Sequence, residues 1–200
     1  MKFVVSTRSM EEAIAAMKNC DVVELRLDLF EKFPPVSELE KIKKEKIVTV
    51  RRKGEGGTFE GSEEERLEVM KRYAKNADYI DIECDATEAF FSLPCRIIES
   101  YHNFEETPSY DKLKDLVEGR RGDIFKIATM GRSKKDVLTI VKLLCEYENV
   151  VAFLMGEKFA YTRILSAMLG SPLIYCHAGK AVAPGQLEVE KARKILEMLL

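Results

Sequence analysis

A lysine set among apolar residues is the first feature of this sequence that points to a specific chemistry. Lys126 lies in the middle of segment 123–129, where most of its neighbours are aliphatic or aromatic. Such neighbours exclude water and favour the neutral amine, which is the nucleophile that forms an imine with a ketone or an aldehyde. The alternative is a structural ion pair between Lys126 and Glu24 or Glu83.

A histidine and a glutamate supply acid–base groups that imine chemistry needs. His102 is one of two histidines and lies between an apolar segment and polar loop residues. A proton shuttle and a surface histidine both fit that position. Glu55 lies among glycines just after segment 46–51. That setting suits a flexible surface loop as well as a loop that carries a carboxylate into a site.

Charged residues alternate with apolar residues in several segments. Within residues 22–29, Glu24, Arg26 and Asp28 share one face, because side chains of a strand alternate between its two faces. The same alternation recurs in further segments. On their polar faces these segments carry Thr49, Arg51, Asp81, Glu83 and Lys126. An antiparallel sheet with one solvated face shows such alternation, whereas parallel strands are normally covered on both faces. Buried charges must pair or serve chemistry, so we expect a polar pocket of mixed charge.

Eight strand-like segments alternate with helical patterns along the chain. The predicted strands are 2–6, 21–28, 46–51, 79–83, 96–102, 123–129, 150–155 and 172–176. The predicted helices are 10–19, 37–44, 62–76, 109–118, 133–147, 158–169 and 186–200, with a short or irregular segment at 85–94. Crossovers of this length imply parallel pairing.

The pattern therefore predicts an α/β fold, and the strand count favours a (β/α)8 TIM barrel that forms a single compact domain over residues 1–200. An open doubly wound sheet is the alternative. No glycine-rich dinucleotide motif follows the first strand, which counts against that sheet. The charged residues cluster at the C-terminal ends of the predicted strands, where barrel enzymes assemble their sites.

Composition excludes several classes of protein. The 32 Lys and Arg and the 34 Asp and Glu leave a net charge of −2, which provides no basic surface for nucleic acid or for a membrane. The five cysteines are odd in number and scattered without a C-x-x-C motif, so neither a disulfide framework nor a structural zinc site is expected. Residues 2–8 do not form a signal peptide, and we expect a cytoplasmic protein that acts on a small molecule.

Two features near the C-terminus suggest ligand contacts. Segment 179–186 contains glycines and a proline, which suit a hinged lid, and Gln186 is predicted near the start of the last helix, where an anionic group is favoured. Arg163 is a lone cation on an apolar helix, which suggests that it captures a carboxylate. A surface salt bridge is the alternative role for this arginine.

Six short motifs together identify a family resemblance. They are ELRLD (24–28), Arg51 with EGG (55–57), SYHNF (100–104), KIA (126–128), MG (155–156) and APGQ (183–186). In this order, and over nearly the whole chain, they resemble the type I 3-dehydroquinate dehydratases. The resemblance implies a (β/α)8 barrel that dehydrates 3-dehydroquinate to 3-dehydroshikimate in the shikimate pathway of aromatic amino acid biosynthesis. It also implies a homodimer that uses no metal and no cofactor.

The resemblance also implies roles for individual residues. Lys126 matches the Schiff-base lysine, His102 the general acid/base, and Glu55 the loop carboxylate that supports the histidine. The residues that match substrate-binding positions are Ser6, Glu24, Arg26, Arg51, Arg163 and Gln186. One position departs from the family pattern, because Val182 stands where a serine is often found before APGQ. Valine has no side-chain hydrogen-bond donor, so contact with the lid there is expected to be apolar or through the backbone.

Two other functions remain compatible with such a barrel. One is a different imine-forming enzyme, such as an aldolase for sugar phosphates, but Glu157 follows the seventh predicted strand, where a phosphate site would lie. The other is an inactive barrel that serves as a binding module. The presence of Lys126, His102 and Glu55 together argues against an inactive barrel.

Overall fold

The computed structural model describes residues 1–200, and its helices and strands run from Lys2 to Leu199. The strands are β1 (Lys2–Thr7), β2 (Val22–Arg26), β3 (Glu45–Thr49), β4 (Tyr79–Glu83), β5 (Arg96–Asn103), β6 (Ile124–Met130), β7 (Val150–Met155), β8 (Leu173–His177) and β9 (Leu187–Glu188). The α-helices are α1 (Met10–Ala16), α2 (Glu63–Ala74), α3 (Glu88–Phe91), α4 (Tyr110–Glu118), α5 (Lys134–Glu146), α6 (Thr162–Met168) and α7 (Val189–Leu199). Short 3-10 helices occupy Leu27–Leu29, Val36–Lys41, Lys53–Glu55 and Glu157–Phe159.

All strand pairs are parallel, and the order across the sheet is β7-β6-β5-β4-β3-β2-β1-β8-β9. Strands β7 and β8 share no ladder hydrogen bonds, but both pack against α6. Side chains from β1 to β8 all contribute to one interior cluster, so the sheet curls around a common axis. The predicted (β/α)8 barrel is confirmed. Strand β9 is a short addition that pairs with the outer edge of β8.

The barrel interior is apolar at one end and polar at the other. One layer holds an aliphatic or aromatic residue from each strand, namely Val4, Val22, Ile47, Tyr79, Ile98, Ile124, Val151 and Leu173. Two to four residues further along the strands, the same alternation places inward the polar residues Ser6, Glu24, Arg26, Thr49, Arg51, Asp81, Glu83, Ser100, His102 and Lys126. The apolar layer closes the bottom of the barrel, and the polar layer lies toward the C-terminal ends of the strands.

The outward faces of the strands are covered by helices. A cluster of 29 buried residues joins β1–β5 and β8 to the helices around them, and a cluster of 10 joins β6 and β7 to α4 and α5. Capping boxes fix the starts of α2 and α5, where Ser62 and Ser133 accept backbone hydrogen bonds and Glu65 and Asp136 bond back to them. None of the helices is long and apolar enough to cross a membrane.

Three local predictions differ from the structure. The predicted helix 37–44 is a 3-10 helix at Val36–Lys41, a single short segment that buries Leu39 and then enters β3. Strand β2 ends at Arg26, so Asp28 lies in a 3-10 turn instead of continuing the strand alternation. The last helix begins at Val189, not at 186, because residues 187–188 pair with β8 and Glu188 caps the helix.

Candidate active site

A cavity of about 80 Å³ opens at the C-terminal ends of the strands. Its walls include every residue that the sequence predicts for the site: Ser6, Glu24, Arg26, Arg51, Glu55, His102, Lys126, Arg163 and Gln186. These residues come from β1, β2, the end of β3, the turn after it, β5, β6, α6 and the segment before β9.

Lys126 projects from β6 into the barrel and is almost fully buried. Its Nζ donates to Asp81 Oδ2 at 2.5 Å and lies 4.6 Å from the centre of the Tyr175 ring. Lys126 does form an ion pair, but its partner is Asp81 on β4. The alternative that named Glu24 or Glu83 as the partner is therefore wrong. Burial opposes ionisation of Asp81, but Arg51 and Lys126 outweigh that effect and hold the pKa of Asp81 well below its usual range.

His102 and Glu55 form a direct contact, with 2.9 Å between His102 Nδ1 and Glu55 Oε2. Glu55 ends the 3-10 turn Lys53–Glu55, and Gly56 follows it with a φ of 77°. Only glycine suits this position, because the backbone is left-handed and a Cβ would collide with the Phe104 ring. Glu55 is thereby held toward the cavity, although it belongs to a loop.

The environment shifts the ionisation of both partners. Burial raises the pKa of Glu55 to about 7, with Arg51 acting in the opposite direction. Burial also lowers the pKa of His102 well below its usual value, and the nearby charges of Arg51 and Lys126 add to this effect. His102 is consequently neutral at pH 7. A neutral imidazole whose Nδ1–H is donated to Glu55 keeps Nε2 free to accept a proton.

Arg51 connects the acidic residues at the upper end of β4. Its Nη2 donates to Asp81, and its Nη1 lies 3.0 Å from Glu83 Oε1 and 2.9 Å from Ser100 Oγ. Ser100 Oγ donates in turn to Asp81 Oδ1 at 2.7 Å. Lys126 and Arg51 thus approach Asp81 from two sides, and their relative positions are fixed by a common acceptor.

A second set of hydrogen bonds organises the side of the cavity near β1 and β2. Ser6 Oγ donates to Glu24 Oε2 at 2.5 Å, and Thr49 Oγ1 donates to Glu24 Oε1 at 2.8 Å. Arg26 forms two parallel hydrogen bonds to Asp28, at 2.9 and 2.8 Å. The carboxylate of Glu24 and the guanidinium of Arg26 are therefore oriented before any ligand arrives.

Arg163 differs from the other arginines of the cavity because no carboxylate lies beside it. Its Nε donates to Gly185 O at 3.1 Å, its Nη2 lies 3.5 Å from Pro184 O, and its guanidinium stacks over Phe153 at 3.8 Å. Burial lowers its pKa to about 10. The alternative of a surface salt bridge is wrong, since Arg163 is buried. A buried cation without an anionic partner is a favourable place for the carboxylate of a ligand.

Gln186 joins the lid segment to the barrel. Its Nε2 donates to Cys176 O at 2.8 Å and to Ser6 Oγ at 3.3 Å, and its Oε1 accepts the backbone N–H of Val182 at 2.9 Å. The predicted position at a helix N-terminus is wrong, because α7 begins three residues later. Val182 itself lines the cavity, and its backbone N–H makes the contact with Gln186.

Several lining residues were not predicted as site residues. They are the apolar or aromatic side chains Phe104, Ala128, Phe153, Met155, Tyr175, Ala183 and Pro184, together with Gly56. The signal that locates those on β6, β7 and β8 is the alternation with period two, because each shares the inward face of its strand. Their own side chains carry no charge, so a pattern of polar residues inside strands does not indicate them.

Several known proteins are similar to this chain in sequence and in fold. The family model described as type I 3-dehydroquinase matches residues 4–200. The 3-dehydroquinate dehydratase of Archaeoglobus fulgidus is 55% identical over 201 residues, with 100% of both chains covered. The 3-dehydroquinate dehydratase of Methanopyrus kandleri is 39% identical, covering 95% of this chain and 93% of its own. The crystal structure of the 3-dehydroquinate dehydratase from Aquifex aeolicus VF5 matches with a TM-score of 0.82 and 27% identity, covering 100% of this chain and 99% of that one.

Proposed function

The chain belongs to the type I 3-dehydroquinase family and is a hydro-lyase, and we propose that it dehydrates 3-dehydroquinate to 3-dehydroshikimate through an imine on Lys126. The observation that carries this proposal is the convergence of Lys126, His102 and Glu55 on one cavity. Strands β5 and β6 are adjacent, with Ser100 paired to Lys126 and His102 paired to Ala128. An amine and a neutral imidazole therefore face the same small ligand.

Binding of the substrate follows from the charges around the cavity. Arg163 has no acidic partner and pairs with the substrate carboxylate. Glu24, Arg26, Arg51 and Ser6 provide oriented donors and acceptors for the hydroxyl groups. Gln186 belongs to the lid segment 179–186 and hydrogen-bonds both Ser6 and the backbone of Val182, so it couples closure of the lid to the substrate contact at Ser6. These assignments rest on the position of each side chain in the cavity wall.

The first chemical step joins the ketone of the substrate to Lys126. The ammonium first gives up one proton to water, and the neutral amine attacks the carbonyl carbon while a proton moves from nitrogen to oxygen. The hydroxyl of the resulting carbinolamine then takes a proton back from water and leaves as water, which gives an iminium. The iminium carries the positive charge that the ammonium carried before. Asp81, ionised and 2.5 Å from Nζ, lies where it stabilises that charge.

The second step removes a proton from the carbon next to the iminium. Nε2 of His102 accepts this proton while the electron pair moves into the carbon–nitrogen system and forms an enamine. The protonated His102 then donates the same proton to the departing hydroxyl, and water leaves as the carbon–carbon double bond forms. Hydrolysis of the iminium by water restores Lys126 and releases the ketone product. The overall change is the loss of one water molecule.

Borohydride reduction in the presence of 3-dehydroquinate tests the imine. We expect a rise in enone absorbance without borohydride, and with borohydride a stable adduct on the peptide that contains Lys126, identified by mass spectrometry. Lys126→Ala is expected to abolish both signals, whereas the exposed Lys135→Ala serves as a matched control that retains them. An adduct on a different lysine refutes the assignment of Lys126, and an absence of enone absorbance refutes the dehydration.

We infer four further properties of this enzyme. Residues 1–200 form a single catalytic domain, the enzyme works in the shikimate pathway, it acts in the cytoplasm, and it assembles as a homodimer. Family membership supports the pathway, and the dimer is an expectation from the motif resemblance. Sedimentation of the purified chain tests the oligomeric state, and growth without aromatic amino acids of a dehydratase-deficient strain that carries this chain tests the pathway.

A further inference from the structure

Arg66 is fully buried, although it belongs to a helix on the outside of the barrel. From α2 its guanidinium makes two hydrogen bonds to Glu63, at 3.1 and 2.7 Å, and Nη1 lies 3.4 Å from Val50 O. The same Nη1 donates to Glu83 Oε2, and the guanidinium stacks over the Phe90 ring at 4.5 Å. An arginine that only filled space here would cost more to bury than an apolar residue, so its polar contacts require an explanation.

Glu83 is the contact that leads from Arg66 to the cavity. It is also fully buried, at the C-terminal end of β4, and Arg51 and Arg66 outweigh the effect of burial and hold its pKa below the usual range. While Oε2 accepts from Arg66, Oε1 lies 3.0 Å from Arg51 Nη1 and 3.3 Å from the backbone N of Arg52. One carboxylate therefore holds three groups that come from two separate elements.

Arg52 stands directly before the 3-10 turn that carries Glu55. The hydrogen bond from the backbone N–H of Arg52 to Glu83 fixes the start of this turn. The position of the turn then determines the distance between Glu55 and His102. Arg51, the other partner of Glu83 Oε1, contacts Asp81, the acceptor of Lys126. Glu83 is thus connected both to the Glu55–His102 contact and to the Asp81–Lys126 contact.

We propose that Arg66 is a positioning residue for the proposed dehydration, acting through Glu83 to fix Arg51 and the turn that presents Glu55 to His102. The inference rests on the proposed function for its kinetic consequences, but the contact that it assigns to Arg66 is a property of the fold. Misplacement of a catalytic group by about 1 Å can lower a rate roughly 100-fold, so a residue outside the cavity can control turnover.

A purely structural role for Arg66 makes a different prediction. If Arg66 only anchored α2 to the barrel, its loss would lower the thermal unfolding temperature and leave the kinetics of the remaining folded enzyme unchanged. A positioning role changes kcat more than KM, because Arg51 is the one substrate contact that Glu83 holds, whereas the contacts at Arg163 and Glu24 lie on other elements. It also changes the pH profile, because Glu55 becomes more hydrated when its turn is released, and burial is the main cause of its raised pKa.

The experiment compares Arg66→Met and Arg66→Lys with Arg72→Met, a matched control on the exposed face of the same helix. For Arg66→Met we expect kcat to fall by about 10- to 100-fold, with KM within about threefold of the unsubstituted enzyme. The limb of the pH–kcat profile that lies near pH 7 is expected to move to lower pH. Arg66→Lys keeps a cation for Glu83 but lacks the guanidinium fork, so it is expected to restore part of kcat, and Arg72→Met is expected to match the unsubstituted enzyme.

Two further measurements separate the possible failures. If Arg66→Met does not fold, the double variant Arg66→Met/Glu83→Gln replaces it, because this variant removes both buried charges. Its kcat and its pH profile are then measured. Values that match the unsubstituted enzyme overturn the proposal. If the unsubstituted enzyme shows neither dehydration nor imine, the proposed function fails. The titration of His102 by NMR then tests the positioning alone, and an unchanged titration curve in the Arg66 variants overturns it.

Discussion

Asp81 Oδ2 accepts a hydrogen bond from Lys126 Nζ at 2.5 Å, although the two residues lie on strands that are not neighbours in the sheet. β5 separates them and contributes Ser100, whose hydroxyl donates to the other oxygen of Asp81. The amine is thus held by an ion pair within apolar and aromatic surroundings. For imine chemistry the arrangement has a specific use, because the ammonium and the iminium present the same charge to Asp81.

Asp81→Asn is expected to slow the reaction at the imine stage. The amide keeps the shape and a hydrogen bond but removes the charge that stabilises the iminium, and loss of one such stabilising group lowers kcat by roughly 100-fold. Single-turnover borohydride trapping measures the rate at which the adduct on Lys126 accumulates. Asp115→Asn, on the exposed face of α4, is the matched control. Trapping in Asp81→Asn at the unsubstituted rate contradicts this role.

His102→Ala is expected to separate imine formation from turnover. The variant lacks the group that accepts the proton but retains Lys126 and Asp81, so the imine still forms and then accumulates. Borohydride should trap at least as much adduct as in the unsubstituted enzyme, while enone absorbance does not rise beyond about one part in a hundred of its normal rate. The adduct serves as the internal control for folding. Loss of both signals would show that His102 is needed for the imine itself.

Glu55 is expected to make turnover and stability respond to pH in opposite directions. Its ionised carboxylate can only accept and so holds the Nδ1–H tautomer of His102, whereas the protonated carboxyl can donate its O–H to Nδ1 instead. We therefore expect kcat to fall as the pH decreases through about 7, the value to which burial raises the pKa of Glu55. A carboxyl group whose pKa is raised on folding contributes stability that is complete below its unfolded value and is lost as the pH rises through the folded value. Above pH 7 the ionised Glu55 therefore destabilises the fold.

Glu55→Gln provides the test of both effects. At pH 8 it is expected to raise the free energy of unfolding by about 1–3 kcal/mol, because a neutral amide avoids the cost of a buried charge. Below pH 4.5 its stability is expected to equal that of the unsubstituted enzyme. Turnover should decrease and lose the limb near pH 7. Denaturant unfolding and pH–kcat profiles measure the two quantities, and a variant less stable at pH 8 than at pH 5 relative to the unsubstituted enzyme contradicts the argument.

The alternation of polar and apolar residues predicted the inward face of most strands, because that property depends only on a local period of two. The same alternation alone predicts one common pocket for Glu24, Arg51 and Lys126. The partner of Lys126 could not be predicted in this way. Contact between Asp81 and Lys126 depends on how far β4 and β6 are displaced along the barrel axis, which is set by the pairing of both with β5.

Prediction was least successful where a residue's environment comes from distant segments. Arg66 lies within a correctly predicted helix, but nothing in residues 62–76 indicates that its guanidinium donates a hydrogen bond to Glu83. Gln186 was placed at a helix start because a two-residue strand such as β9 is too short to leave a pattern. The glycines and the proline predict the lid segment 179–186, but not the hydrogen bonds that join Gln186 to Ser6 and Cys176.

Arg163 is expected to control substrate affinity more than turnover. Its guanidinium is buried, has only carbonyl partners and lies beside the cavity, so a substrate carboxylate would be its first anionic partner. Because a carboxylate remote from the reacting carbon keeps its charge throughout the reaction, the interaction stabilises ground state and transition state alike. Arg163→Met should raise KM by roughly 100-fold, equivalent to about 3 kcal/mol, with a much smaller change in kcat.

The stability of the same variant gives an independent check. Burial lowers the pKa of Arg163 to about 10 without a compensating carboxylate, so the cation weakens the unliganded fold at neutral pH. Arg163→Met is therefore expected to unfold at a temperature no lower than the unsubstituted enzyme, and substrate should protect it less. Arg72→Met should change neither quantity. An unchanged KM, or protection by substrate equal to that of the unsubstituted enzyme, would assign the carboxylate to another cation of the cavity, with Arg26 and Arg51 as the two to be substituted next.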